Sequence, residues 1–325
     1  MSSGHSPDVN AARFRAESLR KLRDFFSQRN VLEVETPVLS RGISLDCHID
    51  VFSAYFHPLG YRKSTPASET FYLQTSPEPH MKRLLCRDFP DIYQIGKAFR
   101  NGESGKHHNP EFTMVEWYRK GFSLSALMNE VEAVCILIAG SRPVVHRTYV
   151  EVFQATVGID PLDFDLAMLP KISALVGKLP EQHNFISKGD ALDYLMSHVI
   201  EPSFPKGSLT FVSDFPAEKA AQAQILPMDN RLAYRFEVYG GGMELGNGYL
   251  ELVDPKEYEL RFDQENSKRR QNGKPELPKD LTLLQDLKRG LPTCAGVAMG
   301  FDRLLMLGQQ STGISSVLNF PWETC

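Results

Sequence analysis

The chain has 325 residues, 42% hydrophobic, 10% aromatic and 23% charged, which is the composition of an ordered globular protein and not of a disordered or fibrous one. Its longest apolar run, Val131–Ala139, carries Glu132 and is too short to span a bilayer, and the polar opening Met1–Asp8 lacks the apolar stretch of a signal peptide. A net charge of −4 argues against a protein whose main task is neutralising nucleic-acid phosphates.

The first element in the chain is an amphipathic helix over 11–28, with Phe14, Ser18, Leu22 and Phe25 at helical spacing and Asn30 as a left-handed stop. A strand over Val31–Glu35 ends before Pro37, and a second runs from Phe71 to Thr75. Ser76-Pro77-Glu78 then reads as a helix start, with Ser76 as N-cap and Pro77 in the first turn. Two longer strands, Asp91–Arg100 and Glu111–Arg119, flank a polar loop. Leu124, Leu127, Met128, Val131, Cys135 and Ile138 share one face of a helix over Leu124–Ala139, closed by Gly140.

Residues 159–207 alternate short helical stretches with Pro and Gly and read as a peripheral insertion. Strands resume at Leu209–Asp214, Arg231–Val238 and Met243–Leu252, the last two turning through Gly240-Gly241-Gly242. Asp254-Pro255-x-Glu257 opens a further helix, in which Lys268-Arg269-Arg270 reads as a solvated face. Ala295–Gly300 is a strand feeding a helix at Phe301–Leu307. Strands joined by short loops predict an α+β fold, an antiparallel sheet flanked by helices. The five cysteines are odd in number and lack C-x-x-C or Cys/His spacing, which argues against disulfides and zinc and for a cytoplasmic chain.

Three stretches carry chemistry. By the period-2 rule Phe112, Met114, Glu116 and Tyr118 point to one strand face, beside Arg100 on the partner strand. A flat aromatic suits stacking on a base, and an arginine fork suits phosphate or carboxylate oxygens. Singly, each residue reads as a half-buried strand position; together they point to a site. Glu237, Glu244, Asn247, Tyr249 and Glu251 form an oxygen-rich hairpin that suits either Mg²⁺ or a cationic substrate. Gly296, Ala298 and Gly300 let a ligand approach a strand closely, and Arg303 follows in the first helical turn.

Taken in order, these stretches resemble the motifs of class II aminoacyl-tRNA synthetases. Phe25–Pro37 looks like the dimer-forming motif 1, Phe99–Tyr118 resembles motif 2, and Gly296–Arg303 resembles motif 3. His108-Asn109-Pro110-Glu111-Phe112 and Glu244-Leu245-Gly246-Asn247-Gly248-Tyr249 are similar to the lysyl branch. The resemblance implies ATP and Mg²⁺ as cofactors and a homodimer. It implies Arg100 on the α-phosphate and substrate carboxylate, Asn109 and Phe112 on the adenosine, Arg303 on the γ-phosphate, and Glu237 with Glu244 on Mg²⁺. Glu78 would take the amine near the carboxyl end, and Tyr118 with Glu251 the distal ammonium. Ser76, Pro77, Glu116, Asn247, Tyr249 and Ala298 complete the substrate side, and Asn101, Gly102, Glu103, His108, Leu245 and Gly300 the nucleotide side.

Motif 1 begins within the first few dozen residues, so the resemblance implies a single catalytic domain over 1–325 without an anticodon-binding domain. That is the mark of the elongation factor P–(R)-β-lysine ligase family, which implies elongation factor P as acceptor and no stable tRNA binding. Ser76 and Ala298 stand where lysyl-tRNA synthetases usually carry Ala and Gly, as a shifted amine on the substrate requires. A truncated tRNA ligase and a non-catalytic regulatory paralogue are the rival readings, and an asparagine-synthetase-like enzyme fits Tyr118 and Glu251 less well. The family's Arg-Asn-Glu is here Arg100-Asn101-Gly102-Glu103. Either the loop re-registers so that Glu103 substitutes, or adenine recognition is weaker; the unbroken pattern from His108 onward favours re-registration.

Overall fold

Helix α1 (Val9–Ser27) starts where the Asp8 side chain accepts the Asn10 N–H, two residues before the predicted start. It ends where Asn30, at φ 55°, turns the chain left-handed and Val31 N–H bonds back to Phe26 O at 3.0 Å. The computed structural model describes residues 8–44, 46–59, 69–170, 172, 185 and 187–325. The polar start Met1–Asp8 therefore falls, up to residue 7, outside the described residues.

The predicted strand at 31–35 is only β1 (Leu32–Glu33), lying parallel to β5 (Ile92–Phe99) with Leu32 opposite Ile92. A small antiparallel sheet follows, formed by β2 (Leu39–Ser40), β3 (Ser53–Phe56) and β4 (Glu69–Leu73), with β4 in the middle. Helix α2 (Glu78–Leu85) begins later than expected: Pro77 is its N-cap, while the Ser76 hydroxyl accepts the Glu78 N–H at 3.0 Å.

Strand β6 (Glu111–Lys120) pairs with β5, and α3 (Leu124–Ala139) has the predicted bounds, with Ser123 capping its start and Gly140 at φ 83° closing it. Then come β7 (Val144–Thr148), α4 (Tyr149–Val157) with a Thr148/Glu151 capping box, α5 (Lys188–Leu195) and β8 (Leu209–Pro216). The chain closes with β9 (Ile225–Leu226), β10 (Asp229–Gly240), β11 (Met243–Leu250), α6 (Pro255–Gln271), α7 (Leu281–Leu287), β12 (Cys294–Gly300) and α8 (Phe301–Gln309).

The large sheet runs β1-β5-β6-β12-β11-β10-β8-β7, with β9 beside β10; all its pairs are antiparallel except β1/β5 and β7/β8. One face packs on α1, α3 and α8 through Phe26, Trp117, Val131, Phe236, Val297 and Phe301. Phe26 stacks on Tyr93 at 4.3 Å and meets Trp117 edge-on at 5.3 Å. Burying a side chain such as Phe26 contributes roughly 1.5–3 kcal/mol.

Among the described residues, the opposite face is covered only at its ends. Helices α2, α6 and α7 pack at one end around Met81, Leu85, Tyr258 and Leu287. At the other end Leu192, Leu195 and Ile200 join Tyr149, Phe153, Phe215 and Tyr239. This second cluster draws on the segment expected as a peripheral insertion over 159–207, of which residues 171, 173–184 and 186 lie outside the described residues. Among the described residues, the middle of this sheet face lines a cavity. Among the described residues no helix is long and apolar enough to cross a membrane.

Candidate active site

Strand register brings the chemistry-bearing residues into rows across the open face. Glu116 on β6 is paired with Ala298 on β12, Ala298 with Asn247 on β11, and Asn247 with Glu237 on β10. Two residues along the strands, Tyr118, Gly296, Tyr249 and Arg235 form a parallel row. The period-2 expectation therefore holds on β6, where Phe112, Met114, Glu116 and Tyr118 all line a cavity of about 420 Å³. Val115 and Trp117 between them face the core.

Strict alternation puts Glu244 on the opposite face from Asn247. A bulge overrides it: the β10–β11 register shifts between Val238 and Tyr239, so that Glu244 faces Tyr239 while Met243 and Leu245 both enter the core. The extra residue turns Glu244 back toward Glu237 and into the cavity.

At the β12 end of the cavity the side chains form a tight charged cluster. Buried Glu116 accepts hydrogen bonds from the Tyr118 hydroxyl at 2.6 Å and the Ser76 hydroxyl at 2.7 Å. Glu78 accepts from Ser44 at 2.9 Å. Lys82, fully buried, is ion-paired with Glu78 at 2.5 Å and with Glu251 at 2.7 Å. Burial, reinforced by the Glu78 carboxylate, pushes Glu116 up to about 8. Burial also pushes Glu251 up to about 7, against the opposing pull of Lys82. Carboxylates so placed are arranged to receive cationic groups, which would restore their ionised forms.

At the other end Glu237 accepts from Arg235 at 2.5 Å and from the Tyr239 hydroxyl. Glu201, carried from the inserted segment, accepts the Glu244 N–H at 3.2 Å; burial and the neighbouring Glu244 push it up to about 7. Glu237 and Glu244 face the cavity while Glu201 stands beside Glu244 outside its lining; carboxylate oxygens of this kind are hard donors that suit a divalent cation.

Arg100 lies over the Phe112 ring at 5.2 Å, and the Arg100–Glu103 pair spans 3.7 Å. Glu103 sits in a turn, with Gly102 at φ 82°, so strand parity does not govern it and it lines the cavity. Arg303 donates to His108 Nε2 at 2.7 Å and to Glu244 O at 2.8 Å. His108 is held low by burial and by Arg303, which keeps the ring a neutral acceptor. Asp302 fixes this turn of α8 by accepting from Arg15 and from the Thr113 N–H, each at 2.6 Å. Arg100 Nε, Arg235 Nε and Asn247 Oδ1 are buried and have no hydrogen-bond partner among the described residues. These are the groups a polar ligand would satisfy.

Several predicted residues are placed differently. Pro77, Asn101 and Gly102 do not line the cavity: Pro77 caps α2, Asn101 pairs through its backbone with Asp50, and Gly102 makes the turn. The Asn109 amide is committed to Glu111 O at 2.6 Å and to the Trp322 N–H at 2.9 Å, tying the C-terminal segment to the rim. Sequence reading missed Lys82, Arg235 and Glu201. Lys82 stands four residues after Glu78, and Arg235 two residues before Glu237 on the same face, so spacing held a signal for both. Nothing local marks Glu201.

The family model for class II tRNA synthetases (D, K and N) matches residues 7–324. The elongation factor P–(R)-β-lysine ligase of Vibrio cholerae is 44% identical over 314 residues, covering 97% of this chain and 96% of that protein. The ligase of the same name from Pseudoalteromonas translucida is 42% identical over 315 residues, covering 97% and 96%. That of Klebsiella pneumoniae is 41% identical over 306 residues, covering 94% and 93%.

Proposed function

The chain belongs to the class II tRNA synthetases, in their elongation factor P–(R)-β-lysine ligase family, and from this we propose that it uses ATP to activate (R)-β-lysine and transfers it to a lysine side chain of elongation factor P. The observation that carries the reading is the pair of charged ends of one cavity: carboxylates for amines at one end, and arginines with an oxygen-donor set at the other.

The substrate carboxylate attacks the α-phosphorus of ATP, forming the adenylate and releasing pyrophosphate. The acceptor amine then attacks the activated carbonyl carbon, forming an amide and releasing AMP. Arg100 meets the α-phosphate and the substrate carboxylate, and Arg303 the γ-phosphate, so that rate comes from positioning and charge stabilisation. Phe112 stacks on the adenine and Glu103 reads its edge. Glu237 and Glu244 would hold Mg²⁺, which when bound neutralises triphosphate charge. Glu78 takes the amine near the carboxyl end, and Glu116, Tyr118 and Glu251 the distal ammonium. Ser76, bonded to Glu116, and Ala298, beside it in the sheet, shape the pocket for the shifted amine. A homodimer through the motif 1 region is supported by exposed Leu32, Leu39, Tyr55 and Phe56 along β1–β3.

Amino-acid-dependent pyrophosphate exchange tests this directly. (R)-β-Lysine should exceed α-lysine in kcat/KM by about 10–200-fold, the discrimination one misplaced group supports, and elongation factor P should become labelled. Preferred use of α-lysine with charging of tRNA would overturn the reading.

The pocket also sets a pH dependence. Protonated Glu116 and Glu251 hold a cation less well than their ionised forms. Because both are raised into the neutral range, apparent affinity for the diamino acid should fall about tenfold or more from pH 8 to pH 6. Calorimetry in buffers of different ionisation heat should find protons released on binding at pH 7. Affinity that stays flat across this range would refute the assignment.

A further inference from the structure

Lys82 is 0% exposed and does not line the cavity, yet its ammonium touches the two carboxylates there that face the substrate's amines in the proposed reading. It reaches Glu78 Oε1 at 2.5 Å from one turn further along α2, and Glu251 Oε2 at 2.7 Å across from the residue after β11. The Tyr258 ring closes over the ammonium, centred 5.6 Å away. Each carboxylate thus gives one oxygen to Lys82. Glu78 Oε2 meets Ser44, while Glu251 Oε1 lies beside Gly296 and Tyr118 on the cavity wall.

A buried ammonium needs partners whatever its purpose, and one carboxylate with a few carbonyls would serve. Here it is shared between a helix and the end of an interior strand, and both partners belong to the same small cavity. Because the two carboxylates contact one nitrogen, the separation of their contacting oxygens cannot exceed the span of two ion-pair contacts, and if either swings away a buried charge loses one of its two partners. The Glu251 and Glu78 carboxylates hold Lys82 charged despite its burial.

We propose that Lys82 is a positioning residue that fixes the distance between Glu78 and Glu251, and thereby makes the pocket select a diamino acid by the spacing of its two amines. α-Lysine, whose amines stand one carbon further apart than those of β-lysine, is disfavoured because the clamp will not open to match it. This inference rests on the reading of Glu78 and Glu251 given above.

The test compares pyrophosphate exchange with (R)-β-lysine and with α-lysine in wild type, Lys82→Arg and Lys82→Met. Lys82→Arg keeps the charge but spreads the carboxylates, and should lower the β-to-α ratio of kcat/KM by tenfold or more, through the amino-acid KM, with the KM for ATP unchanged. Lys82→Met removes the clamp, and its ratio should fall toward one. A ratio within twofold of wild type in a variant that melts cooperatively and binds ATP would overturn the proposal, as would equal losses with both isomers. If both variants fail to fold, Lys82 serves folding alone and the proposal falls. If wild type exchanges with neither isomer, it is the functional reading that fails, not the clamp.

Discussion

Arg100→Ala should abolish amino-acid-dependent pyrophosphate exchange, lowering kcat/KM about 10³-fold or more, while leaving the protein folded. In the proposed reaction its guanidinium serves two anions at once, and removing one preorganised donor already costs about 10²–10³ in kcat. Arg100 is well prepared for that task. Its backbone N–H is pinned to Pro110 O at 2.9 Å, its plane lies over Phe112, and its Nε is buried without a partner among the described residues. Little stability rests on it. The Arg100–Glu103 pair is long and partly exposed, a kind of pair worth about 0–1 kcal/mol. A melting temperature close to wild type, with exchange lost mainly in kcat, is the expected pattern. Exchange within tenfold of wild type would remove Arg100 from the reaction.

Gly296→Ala should have a comparable effect from the other end of the cavity. A Cβ at position 296 would run into the Glu251 carboxylate and the Tyr118 ring. The backbone cannot retreat, because β12 is held between β6 and β11 with Gly296 paired to Tyr118 and Tyr249. The methyl therefore displaces the groups proposed to hold the distal ammonium. A misplacement of this size costs about 10²-fold, so kcat/KM for the amino acid should fall at least that far, with ATP binding retained. Overpacking of this kind costs about 1–3 kcal/mol of stability. Gly207→Ala, where an added Cβ meets nothing within 4 Å, is the control and should behave as wild type. Undiminished amino-acid affinity in Gly296→Ala would show that the substrate lies elsewhere.

The parts of this design that were legible in the sequence are those governed by local periodicity. Alternation alone sorted Phe112, Met114, Glu116 and Tyr118 from Val115 and Trp117, because a strand's side-chain period is set by its backbone. Helix α3 was legible from its apolar face and from Gly140, whose backbone freedom closes it. Strands β2 and β3 were missed. Two to four residues carry no alternation to detect, and they are strands only because β4 lies between them.

The kind of groups available, and the faces on which each element presents them, follow from local sequence: an arginine beside an aromatic, acids on a hairpin, glycines on a strand. How those groups meet depends on the assembled fold. The β10–β11 bulge returned Glu244 to the site against strict alternation, the Asn109 amide was drawn to Trp322, and Glu201 arrived from a segment with no local signal. Most of all, Lys82 came to bridge Glu78 and Glu251, the second of which is 169 positions away. Period and capping act within a few residues, whereas strand register and the pairing of buried charges depend on the whole sheet being assembled.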